Sequence, residues 1–164
     1  MTLYEGSIRH AIHRLKYQRV SALADPLGDA LGRFWQRVGV RATGIVPVPL
    51  HPDRERERGY NQSELLARRV AWAAGIPVYP HALRRVRATA AQMTLNAAER
   101  RLNVAGAFHC DDPALRGATV LLVDDVCTTA STLDACAQAL KAAGAAEVHG
   151  LALAHAQYGT DQAR

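Results

Sequence analysis

The chain is short of the residues that define several protein classes. Its 164 residues include only three cysteines, none of them in a CxxC pair, so neither a disulfide framework nor a zinc site is expected. No apolar run approaches the roughly 20 residues of a membrane-spanning helix, and the N-terminus lacks the apolar core of a signal peptide. We therefore expect a cytoplasmic protein that has no membrane partner and binds no zinc.

Lysine is scarce as well. Of the 20 basic residues only Lys16 and Lys141 are lysines, and both fall in predicted helices. This argues against a flavodoxin-like phosphoacceptor domain, which needs a lysine beside its strand-end acids. The arginines bring the formal net charge to +5, but they accompany abundant alanine, so the charge alone is weak evidence for nucleic-acid binding.

Length and hydrophobic pattern predict a single α/β domain over residues 1–164, with a mainly parallel central sheet flanked by helices. Apolar residues three and four positions apart predict N-terminal helices within residues 1–40. The core is predicted at 41–156, with strands at 44–49, 120–123 and 148–154. Asn61 is expected to cap the helix that follows the first of these strands.

The most informative stretch runs from residue 120 to residue 133. Four apolar residues fit a strand buried on both faces of a parallel sheet, and they lead directly into Asp124 and Asp125. A hydroxyl-rich turn follows, where backbone N–H groups can surround a phosphate. The two acids would repel that phosphate and suit ribose hydroxyls instead. The alternative is a buried strand before a helix capped by Ser131 or Thr132, which leaves the acids unexplained.

This stretch resembles the 5-phosphoribosyl-1-pyrophosphate (PRPP) motif of type I phosphoribosyltransferases, with Ala130 where many members carry glycine. Further segments resemble the ComF family. They are residues 4–6, 15–17, 47–52 and 58–62, together with Gln92, Leu95, Arg100, Asn103 and 106–108. The resemblance therefore spans residues 4 to about 154. Many ComF proteins begin with a zinc-ribbon module, and the chain resembles their phosphoribosyltransferase-like domain without it.

The resemblance implies a type I phosphoribosyltransferase-like fold and a role for each segment. Asp124 and Asp125 are the expected catalytic pair, which holds the ribose hydroxyls. The expected 5-phosphate site consists of Val126, Cys127, Thr128, Thr129, Ala130, Ser131 and Thr132. The loop from residue 50 to residue 60 is expected to bind pyrophosphate through Leu50, His51, Arg58, Gly59 and Tyr60. A hood at about 86–105 would close over the site with Gln92, Arg100 and Asn103.

The resemblance also implies a function linked to bacterial competence and DNA uptake. The leading interpretation is transfer of phosphoribosyl from PRPP to a nitrogenous acceptor with release of pyrophosphate, assisted by Mg²⁺ that PRPP itself mainly holds. Two alternatives stay open. One is a non-catalytic sensor of PRPP or a nucleotide. The other is a competence factor that binds a partner protein or single-stranded DNA, with a candidate DNA surface at Arg84, Arg85, Arg87, Arg100 and Arg101.

Overall fold

Four parallel strands form the central sheet. In the computed structural model, which describes residues 2–87 and 97–156, they are β1 (Thr2–Leu3), β2 (Gly44–Pro47), β5 (Thr119–Cys127) and β6 (Glu147–His155), in the spatial order β1-β6-β5-β2. The central strand β5 is buried on both faces, which explains its continuous apolar run. Its carboxyl end, where ligands bind in open α/β sheets, carries the two acids.

Six α-helices occur in the part of the chain that the structure describes. Their bounds are Gly6–Tyr17 (α1), Ala24–Val38 (α2), Pro52–Arg58 (α3), Gln62–Ala74 (α4), Ala97–Val104 (α5) and Ser131–Ala142 (α6). The predicted cap at Asn61 is confirmed, since its side chain accepts a hydrogen bond of 3.0 Å from the N–H of Ser63. Gly75 ends α4 in the left-handed conformation that glycine adopts readily. None of the helices in these residue ranges is long and apolar enough to cross a membrane.

The sheet separates two apolar cores because successive side chains of β5 point to opposite faces. Leu121 and Val123 pack with Ile12 of α1 and with residues of α2 and α4. Val120 and Leu122 pack on the other face, with α6. Full burial of each such side chain stabilises the fold by about 1.5–3 kcal/mol. The two cores thus fix α1 on one side of the carboxyl end of β5 and α6 on the other.

A small antiparallel pair lies outside the central sheet. It consists of β3 (Leu83–Arg85) and β4 (Phe108–Cys110), and Phe108 joins the core under α6. The predicted hood at 86–105 connects these two strands. Helix α5 belongs to it, whereas residues 88–96, with Gln92, lie outside the described residues. Closure of this region over the site stays a prediction.

Candidate active site

The acid pair lies inside β5, near its carboxyl end. The strand continues to Cys127, so Val126 and Cys127 belong to the sheet rather than to the predicted phosphate loop. Each acid accepts a hydrogen bond from the next backbone N–H: Asp124 from Asp125 at 2.8 Å, and Asp125 from Val126 at 2.7 Å. These bonds fix both carboxylates at the edge of the sheet.

Asp124 is buried and its carboxyl group has an unusual pKa. Only 9% of the residue is exposed, and the hydroxyl of Ser63 donates to its Oδ1 at 3.0 Å. Burial, reinforced by the neighbouring charge of Asp125, raises the pKa of Asp124 from 3.8 to about 7. This carboxyl group can therefore take up or release a proton near neutral pH.

Asp125 forms an ion pair with Lys16, whose Nζ lies 2.7 Å from Oδ2. Burial alone would lower the pKa of the Lys16 ammonium, but the two aspartates outweigh it and the pKa is raised. Lys16 lies in a helix, as the sequence predicts, and tertiary packing brings that helix beside the strand-end acids. The parallel pairing of β1 with β6 ends β1 at the carboxyl edge of the sheet, and α1 starts there.

The predicted phosphate loop continues after β5 with residues 128–130. Ala130 adopts the left-handed conformation with φ +59°, the position where the related motif often has glycine, and α6 begins at Ser131. Neither Ser131 nor Thr132 caps the helix, so the capping alternative is wrong. The hydroxyls of Thr129 and Ser131 lie 2.8 Å apart. The first N–H groups of α6 have no partner within the helix, which favours an anion at this point.

A cavity of about 780 Å³ lies between the phosphate loop and α1. The carboxyl end of β5, the loop and the first turn of α6 contribute Asp124, Val126, Cys127, Thr128, Ala130, Ser131, Thr132 and Leu133. The opposite wall is formed by Tyr4, Arg9, His13, Lys16 and Tyr17. Asp124 is the only carboxylate among the described lining residues. Burial raises the pKa of the Cys127 thiol, so this residue fills space as a thiol rather than acting as a thiolate.

The predicted pyrophosphate loop is largely a helix. Pro52 starts α3 and the preceding His51 accepts a 3.3 Å hydrogen bond from the N–H of Asp53, while Gly59 ends the helix with φ +88°. Arg58 bonds Gln62 and places its guanidinium 5.7 Å from the ring centroid of Tyr17.

Tyr60 also contacts the first helix, since its hydroxyl donates to the carbonyl of Leu15. Leu50 is partly buried. Arg58 and Tyr60 thus contact α1, and none of residues 50–60 lines the cavity.

The predicted hood and arginine cluster are engaged within the fold where the structure describes them. Arg84 pairs with Asp111 at 2.7 Å. Arg87 donates to the carbonyls of Asn103 and Ala105 at 3.0 and 2.7 Å. Arg85 is partly buried, with its guanidinium 5.5 Å from the ring centroid of Phe108. The side chains of Arg100 and Arg101 lie outside the described part of the molecule.

The comparison with protein families decides the identity of the fold. Residues 72–162 match the phosphoribosyl transferase domain, a span that contains the whole acid and phosphate-loop motif. The chain belongs to this family. A solved glutamine PRPP amidotransferase from B. subtilis, complexed with ADP and GMP, superposes with a TM-score of 0.55 at 23% identity, over 80% of this chain and 26% of that one. The predicted fold class is confirmed.

Relatives at higher identity confirm the resemblance to the ComF family. The DNA utilization protein YhgH of Salmonella typhi is 40% identical over 153 residues, 88% of this phosphoribosyltransferase-like chain and 66% of that protein. Competence protein F of Haemophilus influenzae is 38% identical over 117 residues, 68% and 50% of the two chains. Competence protein ComFC of Bacillus subtilis is 30% identical over 144 residues, 87% and 57%. The phosphoribosyltransferase-like chain thus spans between half and two thirds of the length of these relatives.

Proposed function

We propose that the protein binds PRPP in the cavity between α1 and the phosphate loop, and transfers its phosphoribosyl group to a nitrogenous acceptor with release of pyrophosphate. The observation that carries the proposal is the position of Asp124 beside the phosphate loop in one cavity. An anion-binding turn holds one end of a sugar phosphate, and a carboxylate next to it accepts hydrogen bonds from the sugar hydroxyls. The matched family supports the same ligand class.

The two acids have different roles in this proposal. Asp124 lines the cavity, so it is the acid that contacts the ribose hydroxyls. Asp125 is held by Lys16 and acts as a positioning residue that keeps negative charge behind Asp124. Negative charge at this point stabilises the oxocarbenium-like transition state that forms as pyrophosphate leaves. The pKa of Asp124, near 7, also allows it to accept a proton from a nitrogen acceptor.

The residues present fit a Mg²⁺ ion that PRPP itself mainly holds. Mg²⁺ prefers oxygen ligands, and Asp124 offers carboxylate oxygens to the cavity, whereas Asp125 is occupied by Lys16. A Mg²⁺ ion held there with PRPP would neutralise part of the charge on the leaving pyrophosphate. Thr128 and the N–H groups of the loop hold the 5-phosphate at the other end.

Calorimetry with PRPP and Mg²⁺ tests the binding step. Asp124→Asn combined with Asp125→Asn should abolish measurable binding, because hydrogen bonds to charged groups contribute roughly 1.5–3 kcal/mol each. Asp111→Asn combined with Asp112→Asn is the matched control, since this second adjacent acid pair lies away from the cavity. Unchanged PRPP affinity in the folded Asp124 and Asp125 variant would contradict the proposal.

A second measurement separates the phosphate loop from the acids. Thr128→Ala should weaken the binding of ribose 5-phosphate and leave the binding of adenine unchanged, because the loop contacts only the phosphate. Thr119→Ala, at the opposite end of β5, is the control. If Thr128→Ala bound ribose 5-phosphate as well as the parent protein does, the 5-phosphate site would lie elsewhere.

Release of pyrophosphate distinguishes an enzyme from a sensor. A screen of nitrogenous acceptors should find one that makes the protein release pyrophosphate from PRPP. Saturable PRPP binding without release for any acceptor would favour a non-catalytic sensor on the same fold.

Relatives named for DNA utilization and for competence favour a role connected with DNA, and we propose single-stranded DNA binding as the second candidate function. If DNA lies on the arginine cluster, the logarithm of the affinity should fall with the logarithm of the salt concentration at about −0.7 per neutralised phosphate. Arg84→Gln with Arg87→Gln should then flatten the slope by about 1.4. Absence of binding even at low salt would contradict this candidate, and displacement of DNA by PRPP would show overlapping surfaces.

A further inference from the structure

Helix α1 presents three basic residues to the cavity. Arg9, His13 and Lys16 are four and three positions apart, the spacing that brings side chains to one face of a helix, and all three line the cavity. His10 and Arg14, of the same residue types, occupy another face of α1 and do not line it. One face of α1 therefore lines the cavity, and the face with His10 and Arg14 does not.

The three basic residues on this face differ in whether a carboxylate of the protein pairs with them. Lys16 is held by Asp125 at 2.7 Å. Arg9 and His13 are exposed, and among residues 2–87 and 97–156 neither has a carboxylate within ion-pair distance. His13 is oriented by Tyr17, whose ring centroid lies 4.9 Å from its own.

Arginines on other elements contrast with Arg9. Arg68 pairs with Glu64 and Arg69 with Asp29, each at 2.7 Å. Their charge is balanced within the protein. No carboxylate of residues 2–87 and 97–156 pairs with Arg9, which lines the cavity, where an anionic ligand group would balance its charge.

The cavity therefore has two walls that favour anions, with Asp124 as the carboxylate among its described lining residues. The phosphate loop forms one wall and accounts for the 5-phosphate. The residues expected to hold pyrophosphate do not line the cavity, and Arg58 is engaged with Gln62 and with Tyr17, which is itself a lining residue. The face of α1 that carries Arg9 and His13 is therefore available to a second negative group of the ligand.

We propose that Arg9 and His13 bind a second anionic group of the ligand, at the end of the cavity opposite the 5-phosphate. The inference rests on the proposed function, since it takes the ligand to be a phosphoribosyl compound. The group is either the diphosphate of PRPP or an acidic substituent of the acceptor. Both have the same recognition chemistry: charge-assisted hydrogen bonds from a guanidinium fork and an imidazole N–H.

Single substitutions on two faces of one helix test the inference. Arg9→Gln and His13→Gln remove the proposed contacts, while Arg14→Gln and His10→Gln are matched controls with the same change of residue type and helix. All four residues are exposed, so each variant should fold, which circular dichroism checks. Calorimetry is carried out with ribose 5-phosphate, with PRPP and Mg²⁺, and with uridine and orotidine 5′-monophosphates, which differ by one carboxylate on the base.

Three results support the inference in distinct ways. Arg9→Gln and His13→Gln should leave ribose 5-phosphate affinity unchanged, and both controls should bind every ligand like the parent. Loss of about tenfold in PRPP affinity, the order expected for one charge-assisted hydrogen bond, identifies the diphosphate. The same loss for orotidine 5′-monophosphate, with uridine 5′-monophosphate and PRPP unaffected, identifies an acidic acceptor.

Two results overturn the inference, and they are distinguishable from failure of the proposed function. If Arg9→Gln and Arg14→Gln behave alike with every ligand, the cavity face of α1 makes no specific contact. If ribose 5-phosphate loses as much affinity as PRPP, the effect is general electrostatics. In both cases the parent still binds ribose 5-phosphate and the proposed function stands. A parent protein that binds neither ribose 5-phosphate nor PRPP overturns both proposals.

Discussion

The acid–base pairs at the buried end of β5 and on the exposed helix α3 differ in their surroundings. At the end of β5, Asp124 is 9% exposed and its pKa is raised to about 7. On α3, the side chain of Asp53 is 67% exposed, and a hydrogen bond from Arg56 lowers its pKa. The same kind of carboxyl group is shifted in opposite directions, because burial dominates in one region and pairing in water dominates in the other.

The two regions also differ in how their pairs are assembled. The pairs of α3 join residues three apart on a single helix turn, as in Arg54 with Glu57. The pair of Lys16 with Asp125 joins the first helix to the central strand. A pair built by tertiary packing is desolvated, so its loss leaves a buried charge, whereas exposed pairs contribute little. This difference can be tested by removing one charge in each region.

Lys16→Met should have the largest effect. It leaves Asp125 buried beside Asp124 without a cation, and breaking a buried pair in this way costs about 3–5 kcal/mol of unfolding free energy. Urea unfolding measures the loss. Lys141→Met is the control and should cost less than about 1 kcal/mol, since that lysine is exposed and donates to the carbonyl of Ala146. Equal losses of unfolding free energy in the two variants would show that the pair of Lys16 with Asp125 does not stabilise the fold.

The pH dependence of stability should follow Asp124. Its pKa is 3.8 when unperturbed and about 7 in the folded protein, so the folded protein keeps a proton that the unfolded chain releases. The corresponding stability is present below the lower value and is lost as pH rises through the higher. The unfolding free energy of the parent, minus that of Asp124→Asn, should therefore fall between the two pKa values, most clearly from about pH 5 to about pH 7, by at most about 1.4 kcal/mol per pH unit, and level off above that.

Asp53→Asn provides the control for this titration. The pKa of Asp53 is lowered, so the stability it contributes is complete above its unperturbed value and is lost only in more acidic solution. The difference between the parent and Asp53→Asn should stay flat over the same pH interval. A flat difference for Asp124→Asn as well would show that Asp124 is ionised throughout.

Tyr60→Phe should have an intermediate effect, because Tyr60 joins the segment after α3 to α1. Removing its hydrogen bond to the carbonyl of Leu15 should cost about 1 kcal/mol in thermal or urea unfolding. Tyr17→Phe is a suitable control, since no hydrogen bond of the Tyr17 hydroxyl occurs among the described residues and its side chain lies at the surface. Equal stability of the two variants would mean that Tyr60 does not anchor α1.

Arg54→Gln and Asp53→Asn should have the smallest effect. Both remove a pair of α3 that is exposed to solvent, and such pairs contribute little. We expect no measurable change in the unfolding midpoint and none in PRPP affinity. A clear loss of PRPP affinity would show that α3 takes part in ligand binding, in line with the pyrophosphate site predicted within residues 50–60.

Some features of the protein follow from the sequence by itself because they depend on neighbouring residues. The apolar run before Asp124 predicts a buried strand, the hydroxyl-rich turn predicts a phosphate loop, and the Asn61 cap follows from local hydrogen bonding. The helix at 52–58 was predictable on the same grounds, since it has proline at its start, glycine at its end and opposite charges three apart. The family resemblance instead predicts a pyrophosphate-binding loop over residues 50–60, a prediction that does not include this helix.

Other features were decided only by the tertiary structure. The contacts of Lys16 with Asp125 and of Ser63 with Asp124 join segments far apart in the chain, and no local pattern indicates them. The basic face of α1 was likewise unassigned, because Arg9 and Arg14 are equivalent in sequence and differ only in which one meets the cavity. The order β1-β6-β5-β2 brings the start of α1 to the carboxyl end of β5. Propensity and capping act within a few residues, whereas a side chain's solvation and charge partners are set by the packing of the whole chain.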